Sequence, residues 1–221
     1  MRAVLTHSML IDVQPRLYQE AIFAKATEGN TLVVLPTGLG KTLIALLMTA
    51  QRLNLYPNSK VLILAPTKPL VQQHEATFRK HTRCEPDEIV VFTGDINPEK
   101  RKVLWERAKV VLSTPQALEN DILTRRILLD EVSLLVVDEA HRATGDYSYV
   151  FVAKQYMTYS KLQRILALTA SPGSQQETID AVIKNLFIEN IELRTPSDAD
   201  VKEYLQDINI CLLYTSPSPR D

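Results

Sequence analysis

The stretch Leu35-Pro36-Thr37-Gly38-Leu39-Gly40-Lys41-Thr42 constrains this chain more than any other. It follows a short apolar run, Thr31 to Leu35, and opens a helix-patterned run, Leu43 to Leu53. Strand, glycine loop, Lys-Thr and helix in that order make a phosphate-cradling loop. Gly38 and Gly40 let the backbone turn tightly and bring its N–H groups against phosphate oxygens. The first turn of the helix adds unpaired N–H groups and a partial positive charge. Lys41 is placed to reach β- and γ-phosphates, and the Thr42 hydroxyl to ligate Mg²⁺. Leu35 stands where the generic loop has its first glycine. A bare Gly-Lys-[Ser/Thr] arises by chance in roughly one chain in ten of this length. The loop therefore needs an independent partner elsewhere in the sequence.

The rest of the chain predicts a doubly covered parallel sheet. Proline starts a short helix between Pro15 and Ala26. Apolar runs at Lys60 to Leu64, Ile89 to Phe92, Val110 to Leu112, Ser133 to Val137 and Ile165 to Leu168 read as strands, with Ile191 to Leu193 as a last edge strand. Helices are expected at Pro69 to about Lys80, Pro98 to Arg107, Thr114 to about Leu123, Tyr147 to Tyr159 and Glu177 to Leu186. Continuously apolar strands alternating with helices mean an α/β, three-layer architecture with a mainly parallel sheet. In such sheets ligands sit beyond the carboxyl ends of the strands. Thr37 to Thr42, Asp138 to His141 and Thr169 to Ser171 all occupy that position.

Asp138-Glu139-Ala140-His141 is the partner the loop needs. Asp138 ends a buried apolar strand and can hold the Mg²⁺ that Thr42 ligates. Glu139, one position on, can take a proton from an attacking water. An acidic helix start is the bland alternative, yet this tetrapeptide should arise by chance in only about one chain in a thousand. His141 is read as coupled by hydrogen bonds to Thr169-Ala170-Ser171.

Length and composition fix the class. At 221 residues, 45% hydrophobic and 23% charged, the chain fits one soluble globular domain. Its net charge of −1 excludes a global basic field, so any nucleic-acid surface must be a local stripe. The two cysteines, Cys84 and Cys211, lack metal spacing and read as reduced thiols. With neither a signal peptide nor a membrane span, a cytoplasmic protein without a membrane partner is expected.

In sequence order, Arg16-Leu-Tyr-Gln19, Pro36 to Thr42, Ala65-Pro-Thr-Lys-Pro-Leu-Val-Gln72, Thr93-Gly94, Thr114-Pro-Gln116, Asp138 to His141 and Leu168-Thr-Ala-Ser-Pro172 resemble the motifs of a superfamily 2 helicase of the DEAH type. Together they look like the first RecA-like P-loop NTPase domain, and most resemble the archaeal Hef / Fanconi anaemia group M branch, related to Dicer and RIG-I-like helicases. Leucine at position 35 is normal in that branch.

The resemblance implies ATP and Mg²⁺ as cofactors. It implies that Gln19 reads the adenine edge while Arg16 packs on the ring, and that Thr37, Gly38, Leu39, Gly40, Lys41 and Thr42 hold the phosphates. It gives Lys41, Asp138 and Glu139 the catalytic roles, with the metal on Thr42 and Asp138. Thr67, Lys68, Thr93, Gly94, Thr114 and Gln116 would face the backbone of one nucleic-acid strand, through sequence-independent phosphate contacts.

DNA is favoured over RNA as the partner, and branched or forked DNA as the substrate of a DNA-repair helicase. An RNA helicase of the Dicer/RIG-I type and a non-catalytic nucleic-acid-binding fragment stay open as alternatives. The resemblance spans about residues 8 to 200 and lacks the second RecA-like domain with its arginine finger. The expected division is a domain over 1–200, the start of a linker over 201–210, and residues 211–221 as sequencing-adapter read-through. An unstructured tail is the alternative for that last segment. The basic runs Arg79-Lys80-His81-Thr82-Arg83 and Lys100-Arg101-Lys102 are expected to be solvated helix faces, and Trp105 core.

Overall fold

The computed structural model describes residues 9–171, 176–195, 197–202 and 204. Pro172 of the last motif and the segment 205–221 lie outside these. Among the described residues, helices and strands alternate as α1 (Leu17–Ala26), β1 (Thr31–Val34), α2 (Lys41–Leu55), β2 (Lys60–Leu64), α3 (Lys68–His81), β3 (Ile89–Phe92) and α4 (Pro98–Arg107). They continue as β4 (Val110–Ser113), α5 (Pro115–Leu123), β5 (Val132–Val137), a short 3₁₀ turn (Ala140–Arg142), α6 (Ser148–Tyr159), β6 (Ile165–Thr169), α7 (Gln176–Asn185) and β7 (Asn190–Leu193).

The strands form one sheet in the order β3-β4-β2-β5-β6-β1-β7, every neighbouring pair parallel. Burial explains that choice. All six residues of β5, and every residue of β1, β2, β4 and β6, are buried, so both faces must be covered. Alternate strand residues feed two cores. Val33, Val61, Ile63, Leu134 and Val136 face one cluster with α1, α2 and α3. Leu32, Leu62, Leu64, Leu135 and Val137 face the other, with α5, α6 and α7. The edge strand β7 is only half covered, and Ile191 and Leu193 stay exposed. This is the expected three-layer α/β arrangement.

Trp105 is core, tilted against Phe92 at 6.4 Å. The basic run beside it needs a correction. Lys100 and Lys102 are exposed as expected, but Arg101 is 3% exposed and forms a two-pronged ion pair with fully buried Asp121. Within the other run, Arg79 donates to the carbonyls of Pro86 and Ile89, and Thr82 is buried. A guanidinium reaches carbonyl oxygens that helix position alone does not reveal.

Strand order divides the carboxyl end of the sheet in two. The loops after β2, β3 and β4 carry Thr67, Gly94 and Thr114; those after β1, β5 and β6 carry Lys41, Asp138 and Ser171. The boundary runs between the neighbouring strands β2 and β5.

Candidate functional site

The phosphate loop leaves β1 with its root tied to the next strand, Leu35 N–H donating to Thr169 O at 3.0 Å. Gly38 and Gly40 have φ of 86° and 80°, a region where a Cβ is strained, so the loop turns only because both are glycine. Gly40 is also the cap residue of α2. Thr37 and Gly38 are exposed, whereas Leu39 is buried as the plug of the loop. Lys41 Nζ donates to Leu35 O at 2.9 Å, curling back over the loop and leaving donors to spare. Burial pushes this ammonium below its ordinary pKa, and the negative charges of Asp138 and Glu139 pull it back up. The parallel sheet sets the loops that carry these three groups at one end.

Helix α1 braces the loop from outside. Tyr18 Oη and Gln19 Nε2 both donate to Leu39 O, at 2.8 and 3.0 Å. Gln19 Oε1 accepts from Arg16 N–H at 2.9 Å, so both ends of the amide are engaged and the side chain is buried. The Arg16 guanidinium lies over the Tyr204 ring, 4.4 Å from its centroid. Gln19 and Arg16, read from sequence as an adenine pair, here clamp the phosphate loop and stack on Tyr204.

Asp138 follows β5 and is held at four points. Its N–H donates to Leu64 O at 2.8 Å, and Tyr149 Oη donates to its carbonyl at 2.7 Å. Burial drives the Tyr149 hydroxyl pKa strongly upward, so it remains a donor. Asp138 Oδ2 accepts from His74 Nε2 at 2.8 Å, and Oδ1 from Glu139 N–H at 3.0 Å. Glu139 has φ of 50°, a left-handed turn that costs a non-glycine residue about 1–3 kcal/mol and re-aims its side chain.

His141 Nδ1 lies 3.1 Å from Thr169 Oγ1 and 3.3 Å from Glu139 Oε2. The Thr169 hydroxyl donates to Ser171 O at 2.6 Å, so its oxygen is the acceptor toward His141. Thr169 thus joins β6 to the phosphate loop through its backbone and to Asp138–His141 through its side chain. A chain of hydrogen bonds links His141, Thr169 and Ser171.

The loops after β2, β3 and β4 form the second half of this end. Thr67 and Lys68 are exposed at the start of α3, and Lys68 pairs with Asp95 across to the next loop. Gly94, Thr114 and Gln116 line one open pocket of about 490 Å³ with Arg101 and Arg126. Thr93 is buried instead, so its loop presents Gly94 outward. Arg101 Nη1 donates to the carbonyls of Thr93 and Ile96, fixing that loop from below. Sequence reasoning missed Tyr18, His74, Arg101 and Tyr149. His74 alone left a signal: with Val71 and Phe78 it falls on the buried stripe of α3, an odd place for an imidazole.

Residues 16–179 match the DEAD/DEAH box helicase family. Among solved structures, the Hef helicase domain of Pyrococcus furiosus superposes with a TM-score of 0.84 at 54% identity, over 86% of this chain and 40% of that one. A Methanocaldococcus jannaschii protein named as an ATP-dependent RNA helicase is 46% identical over 198 residues, which cover 90% of this chain and 25% of the relative. The DEAD-box ATP-dependent DNA helicase Fancm of Drosophila melanogaster is 38% identical over 209 residues, covering 93% of this chain and 14% of that protein. The chain therefore spans a quarter or less of the length of these curated relatives. With its phosphate loop and Asp-Glu-Ala-His turn set at one end of a seven-stranded parallel sheet, the chain belongs to the DEAD/DEAH box helicase family, on the branch of the Hef and FANCM-type helicases.

Proposed function

We propose that this chain is the ATP-binding half of an ATP-dependent DNA helicase or translocase acting on branched or forked DNA inside the cell. The carrying observation is that the loops after β1 and β5 bring Lys41, Asp138 and Glu139 to the same end of the sheet as exposed Thr67, Lys68, Gly94 and Gln116. In this reading the loop amides and Lys41 hold the ATP phosphates. Thr42 and Asp138 would hold Mg²⁺, which would supply positive charge to offset that of the phosphates. The residues suit such a hard cation: each Asp138 carboxylate oxygen accepts one hydrogen bond and keeps a further lone pair. Glu139 takes the proton of the attacking water. Gln19 Oε1 accepts one hydrogen bond and keeps a lone pair that could accept from the adenine amino group, while Nε2 clamps the loop.

Thr67, Lys68, Gly94, Thr114 and Gln116 would follow the backbone of one strand, with Thr93 acting through its buried support of the loop. Backbone contacts do not separate DNA from RNA. The name of the Drosophila relative supports DNA, and that of the Methanocaldococcus relative keeps RNA as the second reading. The domain would run over 1–200 and the linker from 201 to 210. A second RecA-like domain in the full-length protein would supply the cation facing the γ-phosphoryl, which is worth roughly 10³–10⁵ in rate in related enzymes.

Calorimetry and a steady-state ATPase assay test this together. This chain should bind Mg²⁺–ATP, Lys41→Ala should abolish binding, and forked DNA should stimulate turnover only in a version extended through the second domain. Equal ATP affinity of the Lys41→Ala protein would overturn the phosphate-loop reading. Strong DNA-dependent turnover by this chain alone, lost on Glu139→Gln, would overturn the half-motor reading. Greater stimulation of the extended protein by forked RNA would move the substrate to RNA.

A further inference from the structure

Besides the backbone bond of Asp138 N–H to Leu64 O, a side-chain contact crosses the boundary between the two halves of the sheet end. His74, on α3, reaches from the β2 side to Asp138 on the β5 side, Nε2 to Oδ2 at 2.8 Å. Its ring is 6% exposed, among Val71 and Phe78 on the buried stripe of the helix. An ionised carboxylate only accepts hydrogen bonds, so in this contact Nε2 carries the hydrogen. Nδ1 is then buried and, among the described residues, meets no hydrogen-bond partner.

That second fact separates two explanations for the histidine. If the position needed only volume, an apolar side chain would fill it without leaving a buried ring nitrogen unpaired. The imidazole is an expensive choice for packing, and its one polar contact is the Asp138 carboxylate. What histidine supplies there, and a phenylalanine would not, is a donor to that oxygen.

The donor also fixes orientation. Asp138 Oδ1 accepts from Glu139 N–H, a local bond within the same turn. Among the described residues, Oδ2 is held from across the boundary alone, by a ring that packing locks in place. The two bonds together set the plane of the carboxylate and leave one lone pair on each oxygen. A carboxylate that must meet a hard cation at a defined angle gains from such an outer partner, whose loss in metal sites typically costs 10–100-fold in metal affinity.

We propose that His74 is a positioning residue for the nucleotide site, holding the Asp138 carboxylate in the orientation that meets the nucleotide-bound Mg²⁺. The proposal rests on the assignment of Asp138 as the metal carboxylate. It gives α3 a part in the nucleotide site as well as in the nucleic-acid face, since Lys68 and His74 lie six residues apart on one helix.

The test is a Mg²⁺ titration of this chain at a fixed concentration of a fluorescent ATP analogue, with analogue binding also measured in EDTA. The variants are His74→Phe, His74→Gln, His74→Asn and Asp138→Asn. His74→Phe should raise the Mg²⁺ midpoint about tenfold or more while leaving Mg²⁺-free binding within about twofold. His74→Gln or His74→Asn, each with an amide donor, should recover most of that loss in at least one case, which a role in packing alone would not produce. Circular dichroism melts confirm folding, and if His74→Phe does not fold, the comparison of wild type with the Gln and Asn variants decides. There, a midpoint raised in proportion to lost donor reach supports the proposal, and midpoints equal to wild type with Mg²⁺-free binding weakened overturn it. If Asp138→Asn abolishes the Mg²⁺ dependence and His74→Phe leaves it unchanged, the positioning role alone is wrong. If Asp138→Asn also leaves it unchanged, the metal assignment fails and takes this proposal with it.

Discussion

Replacing Arg101 by alanine should be among the most damaging single changes outside the nucleotide loop. The guanidinium and Asp121 are 3% and 0% exposed, joined at 2.6 Å (Nε to Oδ2) and 2.8 Å (Nη2 to Oδ1). Nη1 also serves the carbonyls of Thr93 and Ile96. Removing the arginine leaves a carboxylate with no counter-charge where water does not reach, and breaking such a pair costs about 3–5 kcal/mol. For a domain of this size each kcal/mol moves the melting temperature by about 2–4 °C, so Arg101→Ala should lower it by about 6–20 °C. Lys100 and Lys102, exposed on either side, should each cost under about 0.5 kcal/mol when changed to alanine. The assay is thermal unfolding followed by circular dichroism for the three alanine variants and for Arg101→Met combined with Asp121→Leu. The double variant removes both charges and should melt above Arg101→Ala, because no unpaired ion is left behind. A melting temperature for Arg101→Ala within 2 °C of the Lys102→Ala value would refute the reasoning and return the whole run to the solvated surface.

Gly40→Ala should abolish ATP binding while the domain stays folded, because φ of 80° strains any Cβ and that Cβ would overlap Gln19 Nε2. Calorimetry should read the loss, and ordinary affinity would show that the loop relaxes without its clamp. Stability should fall steeply on the alkaline side: burial pushes Tyr156 up to about 12, so the folded state keeps a proton that the unfolded chain gives up near pH 10. That contribution is complete below pH 10 and lost as pH rises toward 12, and urea melts of Tyr156→Phe over this range should show a shallower decline. An equal slope in both proteins would remove Tyr156 from the account. Deleting residues 211–221 should leave the melting temperature unchanged within about 2 °C, as expected for read-through with no part in the fold; a drop of many degrees would make the segment part of the protein.

Much of this structure could be read before it was seen, and the reason is burial. A strand covered on both faces is apolar at nearly every position, so the runs Ser133 to Val137 and Lys60 to Leu64 announced a parallel sheet. Parallel strands put their carboxyl ends on one side, which brought Lys41, Asp138 and Thr169 together from positions up to 128 residues apart. What stayed hidden was pairing. The basic run Lys100-Arg101-Lys102 looks uniform in sequence because helix periodicity assigns faces and says nothing about partners. Arg101 is buried only because Asp121, twenty positions on and in another helix, waits there with a carboxylate.

The same blindness applies within the site. Gln19 carried an adenine role by resemblance, and its bonds to Leu39 O and Arg16 N–H give it a second part, as a brace of the loop, that the sequence did not reveal. His74 stood in plain view on the apolar stripe of α3, and only its distance to Asp138 gives it meaning. These cases share a physical cause. Backbone-driven features repeat with a period and can be counted along the chain, whereas a hydrogen bond between distant side chains depends on how two elements are brought together. The residues that hold the site in shape are of that second kind. They join the loop to α1, Asp138 to α3, and His141 to β6, and each such bond closes a gap that the sheet order opens between neighbouring loops. Asp138 is therefore held from both sides of the β2/β5 boundary, by His74 of α3 and the carbonyl of Leu64 on one side and by Glu139 N–H and Tyr149 on the other, so a shift of α3 against β5 would turn its carboxylate.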